Sequence, residues 1–113
     1  MKPVRFVGSA KDDLSAFPKS ARNRAGHELF MVQVGRNPDD WKPMSTVGRG
    51  ACEIRVRDDA GAFRVIYVAR FADAVYVLHA FQKKTRKISR ADFDLAKQRY
   101  RTARELAEGV KHD

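Results

Sequence analysis

A chain of 113 residues, 43% of them hydrophobic, suits one domain around one core and is too apolar to stay disordered. Its 23 Lys and Arg against 14 Asp and Glu leave a net charge of +9, which is silent on fold but favours an anionic partner: nucleic acid, an acidic protein or an anionic membrane. No apolar run reaches membrane-spanning length and the N-terminus lacks the apolar core of a signal peptide, so residues 1–113 are expected to form a single cytoplasmic domain.

Pro3 to Val7 reads as a short strand, with Val4, Phe6 and Val7 apolar. Ser9 then opens a helix. Its hydroxyl can accept from first-turn amides, and Asp12 three residues on completes a capping-box pattern. This first helix, Lys11 to Phe17, is short. Pro18 suits the first turn of a second helix, where a missing N–H leaves nothing unpaired. Ala21, Ala25, Leu29 and Val32 recur at spacings of four, four and three, one apolar stripe on a helix running to about Val34, with Gly35 as its stop. Lys19, Arg22 and Arg24 fall off the stripe and are expected in solvent. Joined tightly near Phe17-Pro18, the two helices predict a helical hairpin.

Arg36 to Gly50, RNPDDWKPMSTVGRG, carries two prolines and two glycines and reads as a loop. A loop this long in a compact domain is functional or anchored, and Trp41 and Met44 are the expected anchors. Ala51 to Arg57 alternates, with Cys52, Ile54 and Val56 on one face and Glu53, Arg55 and Arg57 on the other, a half-buried strand. Cys52 is the one cysteine. It is expected as a small core residue, excludes an internal disulfide and fits a reducing cytosol. Asp58-Asp59-Ala60-Gly61 is turn chemistry, and Phe63 to Arg70 is the next strand. A turn at 58–61 sets Arg57 opposite Ala62 and Arg55 opposite Arg64. Like charges opposite each other destabilise a sheet, so an anion should compensate, either Glu53 or a ligand phosphate.

After a turn at Phe71-Ala72-Asp73, Ala74 to Phe81 forms the fourth strand. This strand and the one before it are apolar at nearly every position, so both should be central and covered on both faces. His79 is either a satisfied core or rim histidine or an acid–base group. Whether it shares a face with Arg64 depends on the turn at Phe71 to Asp73. His27, His79 and His112 have no metal-site spacing. The cluster Gln82-Lys83-Lys84-Thr85-Arg86-Lys87 follows the strand, a rigid place from which to hold a polyanion. From Phe81 to Arg104, nine Lys and Arg stand against Asp92 and Asp94, leaving +7 in that stretch. Ser89 begins the last helix as its N-cap, Asp92 completes a capping box, and Ile88 can staple to Phe93. Phe93, Ala96, Tyr100, Ala103 and Ala107 form its core stripe, Lys97, Arg101 and Arg104 line another side, and Glu108 to Asp113 are expected to fray. The order β-α-α-β-β-β-α predicts an α+β domain: a small antiparallel sheet, an N-terminal helical hairpin and a C-terminal helix.

In order and length the chain resembles the RelE/ParE toxin superfamily, and most of all its phage-derived, HigB-like branch. The resemblance is carried by Glu53-Ile54-Arg55, Phe63-Arg64-Val65-Ile66-Tyr67 and Val77-Leu78-His79-Ala80-Phe81, with Gln82-Lys83-Lys84-Thr85 similar to that family's F-x-K-K-T ending. It implies a RelE-like α+β fold and a metal-independent endoribonuclease without cofactors, cleaving mRNA in the ribosomal A site. The RNA 2′-hydroxyl attacks the adjacent phosphate, leaving a 2′,3′-cyclic phosphate and a 5′-hydroxyl. Such chemistry needs a base, cations around the transition state and an acid for the leaving oxygen. By resemblance Arg64 contacts the scissile phosphate, Arg55 supplies a second basic contact, and Lys83 and Lys84 match the basic residues after the last strand. His79 is a candidate acid or base, and Arg57, Arg86 and Lys87 are candidate nucleic-acid contacts. Some members place a catalytic tyrosine after the basic cluster, where Thr85 to Phe93 has none. That departure leaves the acid–base assignment open.

The implied partners are a cognate antitoxin of helix-turn-helix type, the ribosome and mRNA, and promoter DNA through the antitoxin complex. Two other readings stand beside this one. The ParE branch poisons DNA gyrase and cuts no RNA, and a phage accessory domain with a degenerate site would bind nucleic acid without catalysis. A membrane-surface role is disfavoured, because the basic residues follow a strand instead of lining an apolar helical face.

Overall fold

The computed structural model describes residues 1–112, and of 110–112 the backbone alone. The two apolar runs are neighbouring inner strands, β4 (Gly61–Val68) and β5 (Val75–Lys83). Around them lie β1 (Val4–Phe6), β2 (Trp41–Pro43) and β3 (Ala51–Asp58), in the order β1-β5-β4-β3-β2. Strand β1 runs parallel to β5 and the other pairs are antiparallel. Helices α1 (Ala10–Ser15) and α2 (Lys19–Gln33) cover one face, and α3 (Arg90–His112) lies on the other. This is the expected α+β architecture, with one strand more than the sequence announced.

Alternation along the inner strands explains the two layers. Phe63, Val65 and Tyr67 pack with Leu14, Ala21, Ala25 and Leu29 on the α1–α2 face. Ile66 and Val68 pack with Ala96, Tyr100 and Ala103 on the α3 face. A strand buried on both sides is apolar at nearly every position, as β4 and β5 are apart from Arg64, His79 and the strand end Gln82-Lys83. The helix stripes also fall as expected: Ala21, Ala25, Leu29 and Val32 are buried on α2, and Ala96, Tyr100, Ala103 and Ala107 on α3. Lys19, Arg22 and Arg24 are exposed.

Helix ends show where local chemistry prevailed and where it did not. Gly35, at φ +84°, ends α2. Arg36 N–H donates to Met31 O and Gly35 N–H to Val32 O, the paired bonds of a Schellman stop. Ser89 caps α3 as expected, its hydroxyl accepting from the Asp92 amide at 3.0 Å. Ser9 does not cap α1 with its side chain. Its hydroxyl donates to Asp13 Oδ2 at 2.9 Å and accepts from Arg99 Nη2 at 2.8 Å, so a tertiary partner displaces the capping box. Helix α3 runs through His112, past Glu108 where fraying was expected to begin; Asp113 lies outside the described residues.

Two features had no expectation. Inside the Arg36–Gly50 segment, β2 pairs with Cys52–Ile54 of β3 as a short edge strand. The segment is tied down further by Asp39 N–H donating to the buried Glu28 carboxylate at 2.5 Å. Met44 is buried and Trp41 half-buried, as anchors should be. The second feature is a bulge. Ile66 pairs with His79 but Tyr67 with Val77, so Leu78 is the extra residue on β5. Leu78 O, which the ladder leaves free, accepts from Arg99 Nη1 at 3.0 Å. An extra residue reverses the alternation. It turns His79 to the α3 face, where simple alternation after Val77 would have aimed it at α1 and α2.

Tyr100 lies against Gly48 so closely that a Cβ there would stand 2.5 Å from its ring. The Tyr100 hydroxyl donates to Arg49 O at 2.6 Å, so the ring cannot swing aside without losing that bond. Gly48→Ala should lower stability by about 1–3 kcal/mol, the usual range for overpacking, read as a fall in the urea midpoint at unchanged slope.

Candidate nucleic-acid interface

The turn at Asp58–Gly61 fixes the register of β3 against β4, and with it the pattern of charge. Arg55 pairs with Arg64, and Arg57 with Ala62, as the turn chemistry implied. Across β4, Arg64 pairs with Phe81 and Ala62 with Lys83. One sheet face therefore carries three cross-strand rows: Lys42, Glu53, Ile66 and His79; then Arg55, Arg64 and Phe81; then Arg57, Ala62 and Lys83. Apolar side chains of α3 cover one end of this face. The end that carries the cations stays open as a groove of about 500 Å³ lined by Lys42, Met44, Thr46, Glu53, Lys83, Arg86, Lys87, Ile88, Arg90 and Phe93.

The facing arginines need an anion, and Glu53 is that anion. It is buried, and its Oε1 lies 3.5 Å from Arg55 Nε and 3.6 Å from Arg64 Nε. Lys42 Nζ, from the edge strand, is 3.9 Å from the same oxygen. Arg64 is 7% exposed, and its Nη1 donates to Phe63 O at 3.0 Å. Burial pulls its guanidinium below the ordinary value, and Glu53 pulls it partly back; an arginine stays charged regardless. Lys83 is half-buried. Burial first, and then Arg64, push its ammonium below the usual lysine range, against the upward pull of Glu53.

Arg55, Arg57, Arg64 and Lys83 thus come together on the sheet, and Arg86 and Lys87 approach from the segment between β5 and α3. Lys84 is exposed and lines a smaller hollow beside Thr85, Ile88 and Ser89. His79 shares the face but not the opening. It is 5% exposed, stacked on Phe81 at 4.9 Å, and its Nε2 lies 2.7 Å from Asp92 Oδ1. Asp92 also accepts from the Ser89 hydroxyl at 2.7 Å, so the histidine fastens β5 to the start of α3. Lys42 and Arg90 were not foreseen. Lys42 joins the site only through β2, which leaves no periodic trace in sequence, and Arg90 only through the cap that sets the helix start.

Among the described residues there is no cluster of His, Cys, Asp or Glu fit to hold a metal ion, and no helix long and apolar enough to cross a membrane. What the arrangement can do is hold an anion. Fixed cations surround an open groove whose apolar lining (Met44, Ile88, Phe93) can accept a flat ring. The family described as phage derived protein Gp49-like matches residues 12–101. No curated protein matches the chain.

The lowered titration of Lys83 has a consequence for stability. The folded state holds this proton less tightly than the unfolded chain, so the residue opposes folding at neutral pH. That opposition is lifted as pH climbs through the folded value towards the ordinary 10.5. Lys83→Met should therefore be at least as stable as wild type at neutral pH. Wild type should gain on it as pH rises through that window, read from paired urea midpoints.

Proposed function

The chain belongs to the Gp49-like family of phage-derived proteins, a RelE/toxin-like family, and from that premise we propose that it is the toxin of a type II toxin–antitoxin pair. Its activity on this reading is that of a HigB-like, ribosome-dependent mRNA endonuclease. The observation that supports it best is the Arg55–Arg64 pair, set by strand register on the same sheet face as Lys83 and beside the groove that Lys83 lines.

The roles follow from position. Arg64 and Arg55 take the oxygens of the scissile phosphate. The RNA 2′-oxygen forms a bond to phosphorus as the bond to the 5′-oxygen breaks, and charge grows on the non-bridging oxygens facing the guanidinium groups. Cations already held in place stabilise that charge without reorganising. Lys83, whose ammonium gives up its proton more readily than a solvated lysine, donates to the leaving 5′-oxygen. The proton of the 2′-hydroxyl leaves to water, and Lys83 is recharged from solvent. His79, buried and bonded to Asp92, positions Phe81 and the start of α3. Arg57, Arg86 and Lys87 hold flanking phosphates, and Lys84 adds to the field at the rim. With no stronger base in these roles the reaction is slow on free RNA, which suits an enzyme whose substrate is strained into line by the ribosome. An antitoxin of helix-turn-helix type would hold the toxin silent and carry it to promoter DNA.

Controlled expression of wild type, Arg64→Ala and Lys83→Met, with 5′-end mapping of cellular mRNA, tests the proposal. Wild type should arrest growth and cut translated messages. Lys83→Met should lose cleavage by about 10²–10⁴-fold, the usual size of a general-acid contribution, while accumulating to the wild-type level. Arrest with intact mRNA would move the function to gyrase, and no arrest from folded wild type would make this a binding domain.

A further inference from the structure

One oxygen of Glu53 serves three cations. Arg55 Nε, Arg64 Nε and Lys42 Nζ stand 3.5, 3.6 and 3.9 Å from Oε1. A charge-assisted N–H···O bond that closes fully measures about 2.7–2.9 Å. Glu53 therefore holds Arg64 and Lys42 at ion-pair range and accepts only a long, 3.5 Å hydrogen bond from Arg55 Nε. Arg64 Nε is buried without a hydrogen-bond acceptor. A single carboxylate cannot neutralise three cations, and Lys83 in the adjacent row adds another. The surplus is what an incoming phosphate, and still more the phosphorane formed on it, would meet.

We propose that Glu53 is the positioning residue of this face: it fixes Lys42 at the groove, and Arg64 and Arg55 on the sheet beside it, without neutralising them, and it supplies the counter-charge to Lys83, which lines the same groove. What the phosphate belongs to rests on the nuclease reading; the positioning does not. Glu53 is suited to the task by where it sits. At 2% exposure, in mid-strand between β2 and β4, it can follow neither the solvent nor the substrate. Arg55 and Lys42, with 36% and 43% of their side chains exposed, would turn outward if the carboxylate were lost. Arg64, packed in the sheet, could not.

The charged groups around Lys83 make its proton a gauge of Glu53. Lys42 faces it from β2, Glu53, Arg55 and Arg57 from β3, and Arg64 from β4. Arg86 and Lys87 approach from the following segment, and Arg90 from α3. Asp92 borders the neighbouring hollow but is committed to Ser89 and His79. On the groove side Glu53 is the carboxylate that favours the charged lysine.

The experiment is a pH titration of the Lys83 side chain by carbon-detected NMR on the full chain labelled at lysine, assigned with Lys83→Arg. Wild type, Glu53→Gln and Glu53→Asp are compared, alongside kcat and KM for mRNA cleavage on ribosomes. Glu53→Gln should move the Lys83 midpoint to lower pH and reduce kcat by about tenfold or more with KM changed less, the pattern expected when interactions made in the transition state are lost. Glu53→Asp keeps the charge on a shorter arm and should restore the midpoint part of the way. If Glu53→Gln does not fold, Glu53→Asp carries the same test, with a smaller downward shift expected. A folded variant with an unchanged Lys83 midpoint overturns the proposal whatever its rate. If wild type cleaves nothing, the nuclease reading falls and the Lys83 midpoint alone decides the role of Glu53.

Discussion

Two arginines facing each other across β3 and β4 set the problem that the rest of the structure has to solve. The tight turn at Asp58–Gly61 leaves no freedom in the pairing, so Arg55 must stand opposite Arg64. A like-charge cross-strand pair opposes sheet formation by roughly 0.2–1 kcal/mol in exposed settings, and the cost grows when one partner is buried. Glu53, two residues from Arg55 on the same face, offsets it. The neighbouring apolar residues, Ile66 and Val68 under α3 and Phe63 and Val65 under α1 and α2, supply the burial that keeps the strands paired in spite of the charge. The cations are therefore a property of the fold's centre and not of a mobile rim.

The bulge at Leu78 is the second constraint. By adding one residue to β5 it sends Leu78 and His79 to the same side, and it leaves a carbonyl that Arg99 of α3 takes up. Arg99 also reaches Ser9 and, at 3.9 Å, Asp13 at the start of α1. One guanidinium thus ties the bulge, α1 and α3 together. His79 performs a matching task at the N-terminal end of the same helix: Asp92 is held between its ring and Ser89, and the first turn of α3 is fixed where it frames the groove. Ser9 and Asp92, expected as capping residues, and His79, readable as either a core residue or an acid–base group, all join elements. The polar groups of a buried joint usually find partners, and here all but His79 Nδ1, which is buried without one, find one another.

What the sequence made legible follows from which forces are local. The inner strands, the apolar stripes of α2 and α3, the Gly35 stop and the Ser89 cap all depend on residues a few positions apart, and each is present. The Arg55–Arg64 register was readable because a four-residue turn fixes it. β2 was not, since Trp41-Lys42-Pro43 is too short to show alternation and contains a proline, admissible there because the strand lies at an edge. The failure of Ser9 to cap α1 could not be read, because its competitor, Arg99, is ninety positions away. The face of His79 was tied to the turn at Phe71–Asp73, whereas the bulge decides it, and nothing in Val77-Leu78-His79 announces a bulge. The basic candidates were legible as types; which of them meet at one groove was not, because Lys42 and Lys84 exchange places only once β2 and the strand end at Lys83 are known.

The composition of the groove also bears on how selective this face can be. Its cations, Lys42, Lys83, Arg86, Lys87 and Arg90, are of the kind that grip phosphate, and phosphate contacts position a nucleic acid without reading it. Reading a base needs donors and acceptors placed against its edge. The uncharged residues lining the groove, Met44, Thr46, Ile88 and Phe93, offer apolar surface and a single hydroxyl. Stacking against such a surface tolerates any base. On the nuclease reading, a choice of codon would then be made chiefly by whatever presents the RNA to the groove, and the toxin would contribute the field that breaks the bond. On the same reading, a lysine held below its ordinary range and guanidinium groups facing a phosphate would favour the transition state of any strand that arrives in line. Selectivity and restraint would both have to be imposed from outside the chain.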